Sequence, residues 1–298
     1  MTRPERVLCL LVAMAVVGAV PASALEGDGK PSAASAGSEA LTSELVTTGL
    51  YLIAGGGANS LLRLSAGGMI LVDGKLPGFH RPLMGQVRRI SKISDQSIKV
   101  LIVTDHHETH TGNSAQFLAA GIQIIAQQSA ARRFRVTPAE DGKGTPLVVT
   151  YDREYTLRQG GIEVQLRHFG RARTDGDTVV YFPNLKVVAV GDLFTTRMPE
   201  PDFSAGGSLV NWGPVLSRVL ELDFDIVVPS AGPPVTRADL ETFKSKLDTL
   251  TSRAIALVRK GVPKDRLVAE LDTGDLGWQL RLAGEPLDRV YDELSQAK

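Results

Sequence analysis

The sequence predicts an α/β fold in which two mixed β-sheets pack face to face and helices cover them on the outside. Short β-branched runs alternate with helical stretches from Val46 onward. The strands come first in hairpins and are then interleaved with helices, in both halves of the chain, an order that suits a sheet-on-sheet core. Of the 298 residues 43% are apolar, which allows a large core and excludes disordered and fibrous proteins.

Each predicted element follows from a local pattern. β-branched and apolar runs predict strands at 50–53, 60–64, 69–72, 100–103, 122–126, 163–169, 178–182, 187–190 and 226–228. Helical spacing of apolar residues predicts helices at 82–93, 113–120, 210–220, 237–260 and 265–271. The longest of these has the clearest ends, with Thr236 as N-cap, Asp239 three residues later and Gly261 just past the last turn.

The N-terminus has the pattern of a secretory signal peptide, assigned to residues 1–24. A positively charged start precedes the apolar run 7–20, and a small-residue cleavage site ends at Ala24. The run is too short for a permanent membrane span, although an uncleaved anchor is the alternative. We therefore expect an exported protein, periplasmic or secreted, with no transmembrane anchor after cleavage. The single cysteine, Cys9, leaves with the signal, which excludes disulfides and thiolate zinc sites.

Composition and charge divide the remaining chain and restrict its partners. Lys+Arg and Asp+Glu both number 33, so the basic excess that nucleic-acid binding needs is missing. Residues 25–43 are small and polar without a period, which predicts a flexible leader. The main domain is assigned to 44–262. Two short amphipathic pieces in 263–298 predict a C-terminal helical extension packed on that domain.

The chemistry is expected where a rare residue clusters. Three of the five histidines, His106, His107 and His110, follow an apolar strand and precede a helix. A loop that leaves the carboxyl end of a strand is where open α/β sheets place their ligand sites. Histidines and carboxylates brought together there favour a metal such as zinc.

At this point the sequence resembles the metallo-β-lactamase superfamily, over about Val46 to Lys260. Five segments carry the resemblance, each at a strand end and in the family's order: 72–74, 104–113, 170–183, 190–194 and 228–233. The resemblance implies an αββα sandwich with the site along one edge, and a metal-dependent hydrolase.

Carried over position by position, the resemblance implies seven metal-ligand positions. Three keep the residue type of the family: His107, His110 and Asp192. Four differ, with Asp105 in place of the first His, Thr109 in place of the Asp, Arg173 in place of the later His and Ala231 in place of the last His. The predicted cleft consists of these seven positions together with Asp73 and His106.

These replacements argue against a two-zinc hydrolase. A guanidinium is permanently charged and cannot ligate a metal, so Arg173 repels an ion at its position. The resemblance also implies that Thr109 has lost the group that holds the attacking water. We therefore expect no resident cofactor, or one zinc ion if the remaining candidates bind it: Asp105, His107, His110 and Asp192.

The charge changes also suggest compensation. We expect the Arg173 guanidinium to stand where a metal stood and to pair with Asp105 and Asp192, so that Arg173→Ala destabilises the metal-free protein. The alternative is a drifted site with Arg173 extended to solvent. Lys75 and His80 are expected in a solvated loop that borders the cleft, and the alternative is that they bind an anionic substrate.

Three functions remain open. The first is an exported relative with a largely lost metal site, non-catalytic or weakly active, which uses the old cleft to bind a small molecule. The second is an active hydrolase of an ester, thioester or lactam with an atypical single-metal site, in which His110 or Asp105 serves as the base. The third is a metal-free scaffold for an exported partner protein. Metal stoichiometry separates the second from the others.

Overall fold

A computed structural model describes residues 40–91, 97–134, 147–278 and 282–297. The predicted signal peptide and residues 25–39 of the predicted leader lie outside the described residues, as does the end of the helix predicted at 82–93. Among the described residues, every helix is too short or too polar to cross a bilayer.

The first sheet has seven strands that lie in chain order. They are β1 (Thr42–Thr47), β2 (Leu50–Ala54), β3 (Ser60–Arg63), β4 (Met69–Val72), β5 (Ile98–Val103), β6 (Gln123–Gln127) and β7 (Val148–Tyr151). The pairs from β1 to β4 are antiparallel, and those from β4 to β7 are parallel. All four residues of β4 are buried, as expected for a strand covered on both faces.

The second sheet has six strands: β8 (Glu154–Gln159), β9 (Ile162–Arg167), β10 (Val179–Phe182), β11 (Val187–Gly191), β12 (Ile226–Pro229) and β13 (Val235–Thr236). Their order is β13-β12-β11-β10-β9-β8, and only β11 and β12 pair in parallel. Both sheets are therefore mixed, as the sequence predicts.

Helices cover the outer face of each sheet. They are α1 (His80–Ser91), α2 (Glu108–Thr111), α3 (Ser114–Ala119), α4 (Gln128–Arg133), α5 (Leu209–Leu220), α6 (Arg237–Arg259), α7 (Lys264–Glu270) and α8 (Gly284–Gln296). One apolar cluster joins the two sheets, with Ile102 of β5 and Phe182 of β10 among its members. Two further clusters lie under the helices, around Phe117 and around Trp212. The layers are helix, sheet, sheet, helix, and the predicted αββα sandwich is confirmed.

Several elements were not predicted from the sequence. Strand β1 begins at Thr42, inside the predicted leader, and its first four residues are exposed. Its polar sequence shows no apolar pattern because it is an edge strand. By contrast, the predicted ends of α6 are confirmed, since Thr236 and Asp239 form a reciprocal capping box and Gly261 follows the helix with a positive φ of 82°.

The C-terminal helices pack on the rest of the fold. Helix α8 contacts α5 and α6, and it buries Val290 and Leu294. The carboxylate of Glu293 accepts hydrogen bonds from the Ser208 hydroxyl and, at 2.9 Å, from the Leu209 amide. A negative charge at a helix N-terminus is stabilising, so α8 caps α5 from the side.

Backbone hydrogen bonds tie the two sheets together at one edge. The amide of Asn59 donates to Ser230 at 2.7 Å, and the amide of Thr178 donates to Thr104 at 2.7 Å. The loops that follow β4, β5, β11 and β12 meet at this edge, so residues from both halves of the chain converge there.

Candidate functional site

The loop after β5 buries two side chains, His110 of the histidine cluster and Asp105. Its backbone folds into the single turn α2, in which the amide of His110 donates to the carbonyl of His107 at 2.9 Å. His110 is 0% exposed and Asp105 is 1% exposed. Asp105 Oδ1 accepts the amide of His107 at 2.7 Å, which orients the carboxylate within the loop.

Asp73 sets the orientation of the His110 ring. Its carboxylate lies 2.9 Å from His110 Nδ1 and accepts hydrogen bonds from the amide and hydroxyl of Thr104 at 2.8 and 2.7 Å. Asp73 has a positive φ of 60° at the turn after β4. Because Nδ1 is engaged with this carboxylate, the other ring nitrogen, Nε2, is left to face Asp105 and Asp192.

Asp192 completes the group from the second sheet. It follows Gly191 of β11, where a side chain would lie 2.9 Å from the Thr104 hydroxyl and the φ is +53°, so glycine allows the close approach of the sheets. Asp192 Oδ1 accepts a hydrogen bond from the Ser230 hydroxyl. Its side chain is 25% exposed, so it is the member of the group nearest to solvent.

The spacing of the three side chains leaves room for one metal ion between them. His110 Nε2 lies 3.5 Å from Asp105 Oδ2 and 3.5 Å from Asp192 Oδ1. Two ligands of one tetrahedral zinc ion, each about 2.1 Å from it, lie about 3.4 Å apart. Asp105 Oδ2 and His110 Nε2 are buried without a hydrogen-bond partner among the described residues, and such atoms are uncommon in native proteins.

This donor set fits one metal ion. Two carboxylates and one imidazole are ligands of the zinc type, and the Asp73–His110 pair is the carboxylate–histidine arrangement that orients metal ligands. A second group of possible ligand atoms, on Asp105, His106 and His107, lies within 4.8 Å. It fits less well, because His107 Nδ1 is already 3.0 Å from Asp105 Oδ1.

The electrostatics show that the group requires a positive charge. Burial opposes protonation of His110, yet the surrounding carboxylates raise its pKa well above the ordinary value, Asp105 and Asp73 most strongly. Burial alone would raise the pKa of Asp192, but His110 and the Ser230 hydroxyl outweigh it and lower that pKa. A proton on His110 and a metal ion neutralise the same carboxylates, so the two compete.

His107 does not face this group of three. Its Nδ1 contacts Asp105, and its Nε2 lies 3.1 Å from Asp202 Oδ2. The hydrogen bond to Asp105 raises the pKa of His107 against the effect of burial. His107 therefore links Asp105 to the loop between β11 and α5. His106 is half-buried, with its ring centroid 4.3 Å from that of His107.

Arg173 approaches the site next to Asp192. Its Nε lies 3.8 Å from Asp192 Oδ2, and both side chains are about one-quarter exposed, at 26% and 25%. The expected pairing of Arg173 with Asp105 is not found among the described residues. Asp105 is instead held by His107 and faces His110.

A cavity of about 250 Å³ opens beside Asp192. It is lined by Arg173, Asp192, Phe194, Thr195, Thr196, Arg197, Met198, Glu200, Trp212, Ser230 and Ala231. Three of the predicted cleft residues, Arg173, Asp192 and Ala231, thus lie at the cavity. Thr109 lies elsewhere, with its carbonyl accepting the amide of Ala58 at 3.1 Å.

The expectation for Lys75 is wrong. Its side chain is fully buried, and its ammonium donates to the carbonyls of Ile53 and Ala58, both at 2.6 Å. These carbonyls flank the glycine-rich turn after β2. Lys75 therefore stabilises that turn and cannot reach a substrate.

Two contributors at the site were missed by the sequence reasoning. One is Asp202, which contacts His107 and also accepts the amide of Ala205 at the start of a 3-10 turn. An Asp whose side chain accepts the amide three residues later is a recognisable N-cap signal. Ser230 stands next to the altered position Ala231 and had no signal of its own.

Comparison with known proteins gives the fold a name. A metallo-beta-lactamase from Pontibacter korlensis matches with a TM-score of 0.60 at 22% identity, over 70% of this chain and 99% of that one. FIM-1 from Pseudomonas aeruginosa, in its mono-zinc form, matches with a TM-score of 0.56 at 20% identity, over 70% and 95%. The chain has the metallo-β-lactamase fold. The fold implied by the resemblance is thereby confirmed.

A relative by sequence is also found for this metallo-β-lactamase-fold protein. The alpha subunit of 2,4-dinitroanisole O-demethylase from Nocardioides sp. (strain JS1661) is 28% identical over 234 residues, which are 76% of this chain and 68% of that protein. No protein-family model matches the chain. The solved structures share the fold of this chain, and the chemistry of this protein has to be argued from its own site.

Proposed function

We propose that the protein is a metal-dependent hydrolase that works with one metal ion, held by Asp105, His110 and Asp192. The observation that carries the proposal is the pair of 3.5 Å distances from His110 Nε2 to Asp105 Oδ2 and Asp192 Oδ1. In addition, His110 Nε2 and Asp105 Oδ2 are buried and have no hydrogen-bond partner among the described residues. This geometry favours the single-metal alternative over a lost site. FIM-1, of the same fold, has been seen in a mono-zinc form.

Different residues of such a site bind the metal ion, orient its ligands and receive the substrate. A bound zinc-type ion supplies Lewis acidity and lowers the pKa of a water molecule. Asp73 keeps the His110 ring in place, and His107 keeps Asp105 in place. Asp105 and His110 are buried too deeply to exchange protons with a substrate, so we assign them to ligation and not to the base role considered from the sequence. The cavity beside Asp192 receives the substrate.

Candidate substrates are chosen by the bonds that a single-metal hydrolase site cleaves. Esters, thioesters and lactams remain the first candidates. The relative from Nocardioides is named for the O-demethylation of 2,4-dinitroanisole, so this methyl aryl ether belongs in the same panel. Hydrolysis of one member by the zinc-loaded protein, lost in His110→Ala, is the expected result.

Metal content tests the proposal directly. The protein is dialysed against excess zinc, then against buffer, and analysed by plasma mass spectrometry. We expect about one equivalent in the parent and in His80→Ala, a control outside the site, and almost none in His110→Ala or Asp192→Ala. A parent protein that retains no zinc and melts at the same temperature with and without it would contradict the proposal. The non-catalytic binding protein would then be favoured.

We also infer that the protein is exported and acts on a small molecule outside the cytoplasm, with no anchor after cleavage. The support is the signal-peptide pattern of residues 1–24. Expression of the full chain in a bacterial host, followed by fractionation and intact-mass analysis, tests this. A periplasmic or secreted product that begins at Leu25 is expected, and a cytoplasmic product that retains Met1 would overturn it.

A further inference from the structure

Arg173 has free hydrogen-bonding capacity at the cavity. The guanidinium carries five N–H donors, but its side chain makes no hydrogen bond to any residue that the structure describes. Its one ion pair there, to Asp192, is long at 3.8 Å. The group is one-quarter exposed, at 26%, so water or a ligand can approach it.

The surroundings of Arg173 suit a small polar ligand. The cavity holds about 250 Å³ and has the hydroxyl groups of Thr195, Thr196 and Ser230 in its lining. Its apolar lining includes Phe194 and Trp212. Hydroxyl groups, a guanidinium and aromatic rings in one cavity are the mixture that holds a compact molecule carrying one charged group.

Metal binding would release the positive charge of Arg173. Without an ion, Asp192 attracts both His110 and Arg173. With an ion bound, the carboxylate of Asp192 is neutralised by the metal, so it competes less for the guanidinium. Arg173 then stands beside the metal ligands with an unneutralised charge, and a planar oxyanion offers it bidentate hydrogen bonds.

We propose that Arg173 and this cavity bind an anionic group of the substrate, of the carboxylate or sulfate type, next to the metal ligands. The protein thus acts on compact anions, and Arg173 selects them. This proposal rests on the proposed hydrolase function for its biological meaning, although anion binding is measurable by itself.

Binding of a matched pair of probes tests the proposal. Benzoate and benzamide have nearly the same shape and differ in charge. Each is titrated calorimetrically into the zinc-treated protein. We expect benzoate to bind at least about tenfold more tightly than benzamide, with Arg173→Gln removing that preference. Arg173→Lys, which keeps the charge but not the planar fork, should retain part of it.

A second arginine serves as the matched control. Arg218 lines a different cavity, beside Phe169, and lies over that ring at 5.5 Å. Arg218→Gln removes one positive charge from the protein and should leave the preference for benzoate unchanged. Equal binding of benzoate by the parent and Arg173→Gln, or equal effects of the two glutamine variants, would overturn the proposal.

The two proposals fail in different ways. Zinc retention without any preference for benzoate leaves the hydrolase standing and removes the anion site. A preference for benzoate that depends on Arg173 in a protein without zinc keeps the anion site and removes the hydrolase. Melting temperatures of all variants are measured in parallel, so that a folding defect is recognised.

Discussion

The carboxylate of Asp105 determines the orientation of His107. The resemblance to the family implies a His at this position and a metal-ligating role for His107. In this chain Asp105 directs Oδ1 to His107 and Oδ2 to His110. His107 contacts Asp202 at its other nitrogen, so under the proposed function it supports Asp105 and is not itself a ligand.

The first prediction concerns this support. His107→Ala and Asp202→Asn should still bind about one zinc ion, with affinity weaker by about 10–100-fold, the usual cost of losing a group that orients a ligand. Competition with a chromogenic chelator measures the affinity. If His107→Ala loses its zinc as completely as His110→Ala, then His107 is a ligand and the assignment is wrong.

The second prediction concerns the stability that Arg173 contributes. An ion pair that is 3.8 Å long and partly exposed is worth less than about 1 kcal/mol. Arg173→Ala should therefore lower the unfolding free energy of the metal-free protein only slightly, less than the pairing with two carboxylates expected from the sequence. Urea unfolding in the presence of a chelator gives the value. A loss of about 3 kcal/mol would show a stronger role.

Some of the site could be predicted from residues alone, and some could not. The cluster of His106, His107 and His110 after an apolar strand located it. The sequence also identified Asp192 as a retained ligand type. The contact between Asp202 and His107 depends on how the β11–α5 loop folds back onto the loop after β5. The two residues are 95 positions apart in the sequence. No local pattern encodes that contact.

At the scale of elements, the turn before β10 contains a buried acid. The carboxylate of Asp177 accepts the amide and hydroxyl of Thr174 at 2.9 and 2.7 Å. Burial nevertheless raises the pKa of Asp177 to about 8. The turn therefore holds a carboxyl group that is protonated in the folded protein over much of the neutral range.

The third prediction follows from this titration. In the unfolded chain Asp177 ionises near its ordinary value of about 4, so the folded state holds the extra proton between about pH 4 and pH 8. Its contribution to the unfolding free energy therefore falls as the pH rises through that window. Chemical unfolding of the metal-free protein at several pH values should show a flatter dependence in Asp177→Asn than in the exposed control Asp225→Asn.

The fourth prediction concerns the contact between α8 and α5. Glu293→Ala removes the carboxylate that caps α5 and should reduce the unfolding free energy by about 1–2 kcal/mol. Glu285→Ala, in the exposed first turn of α8, is the control. Thermal melts of the two variants check the difference. Equal melting temperatures would mean that the cap contributes nothing.

The elements that the sequence missed share a physical cause. Strand β1 lies at a sheet edge and α2 is a single turn, so neither has a periodic apolar face long enough to recognise. The buried strands β4, β5 and β11 were predicted because continuous apolar runs are typical of strands covered on both sides. Interior elements were therefore easier to predict than edge elements.

At the scale of the molecule, the order of elements carried the prediction of the fold. Hairpins followed by strands and helices, in each half, allow two sheets that share one core. The predicted helical C-terminal extension has a structural role that its sequence did not reveal. It supplies Glu293 to the helix that carries Trp212, a lining residue of the cavity.

The division of the site between the two sheets has a consequence for folding kinetics. Asp105 and His110 come from the first half of the chain, and Asp192 comes from the second. Neither half alone holds all three proposed ligands, so we expect high-affinity zinc binding only when the sheets have docked. In a refolding experiment, zinc uptake should lag behind the recovery of β-sheet circular dichroism. The delay would time the slow, non-local step of folding in this topology.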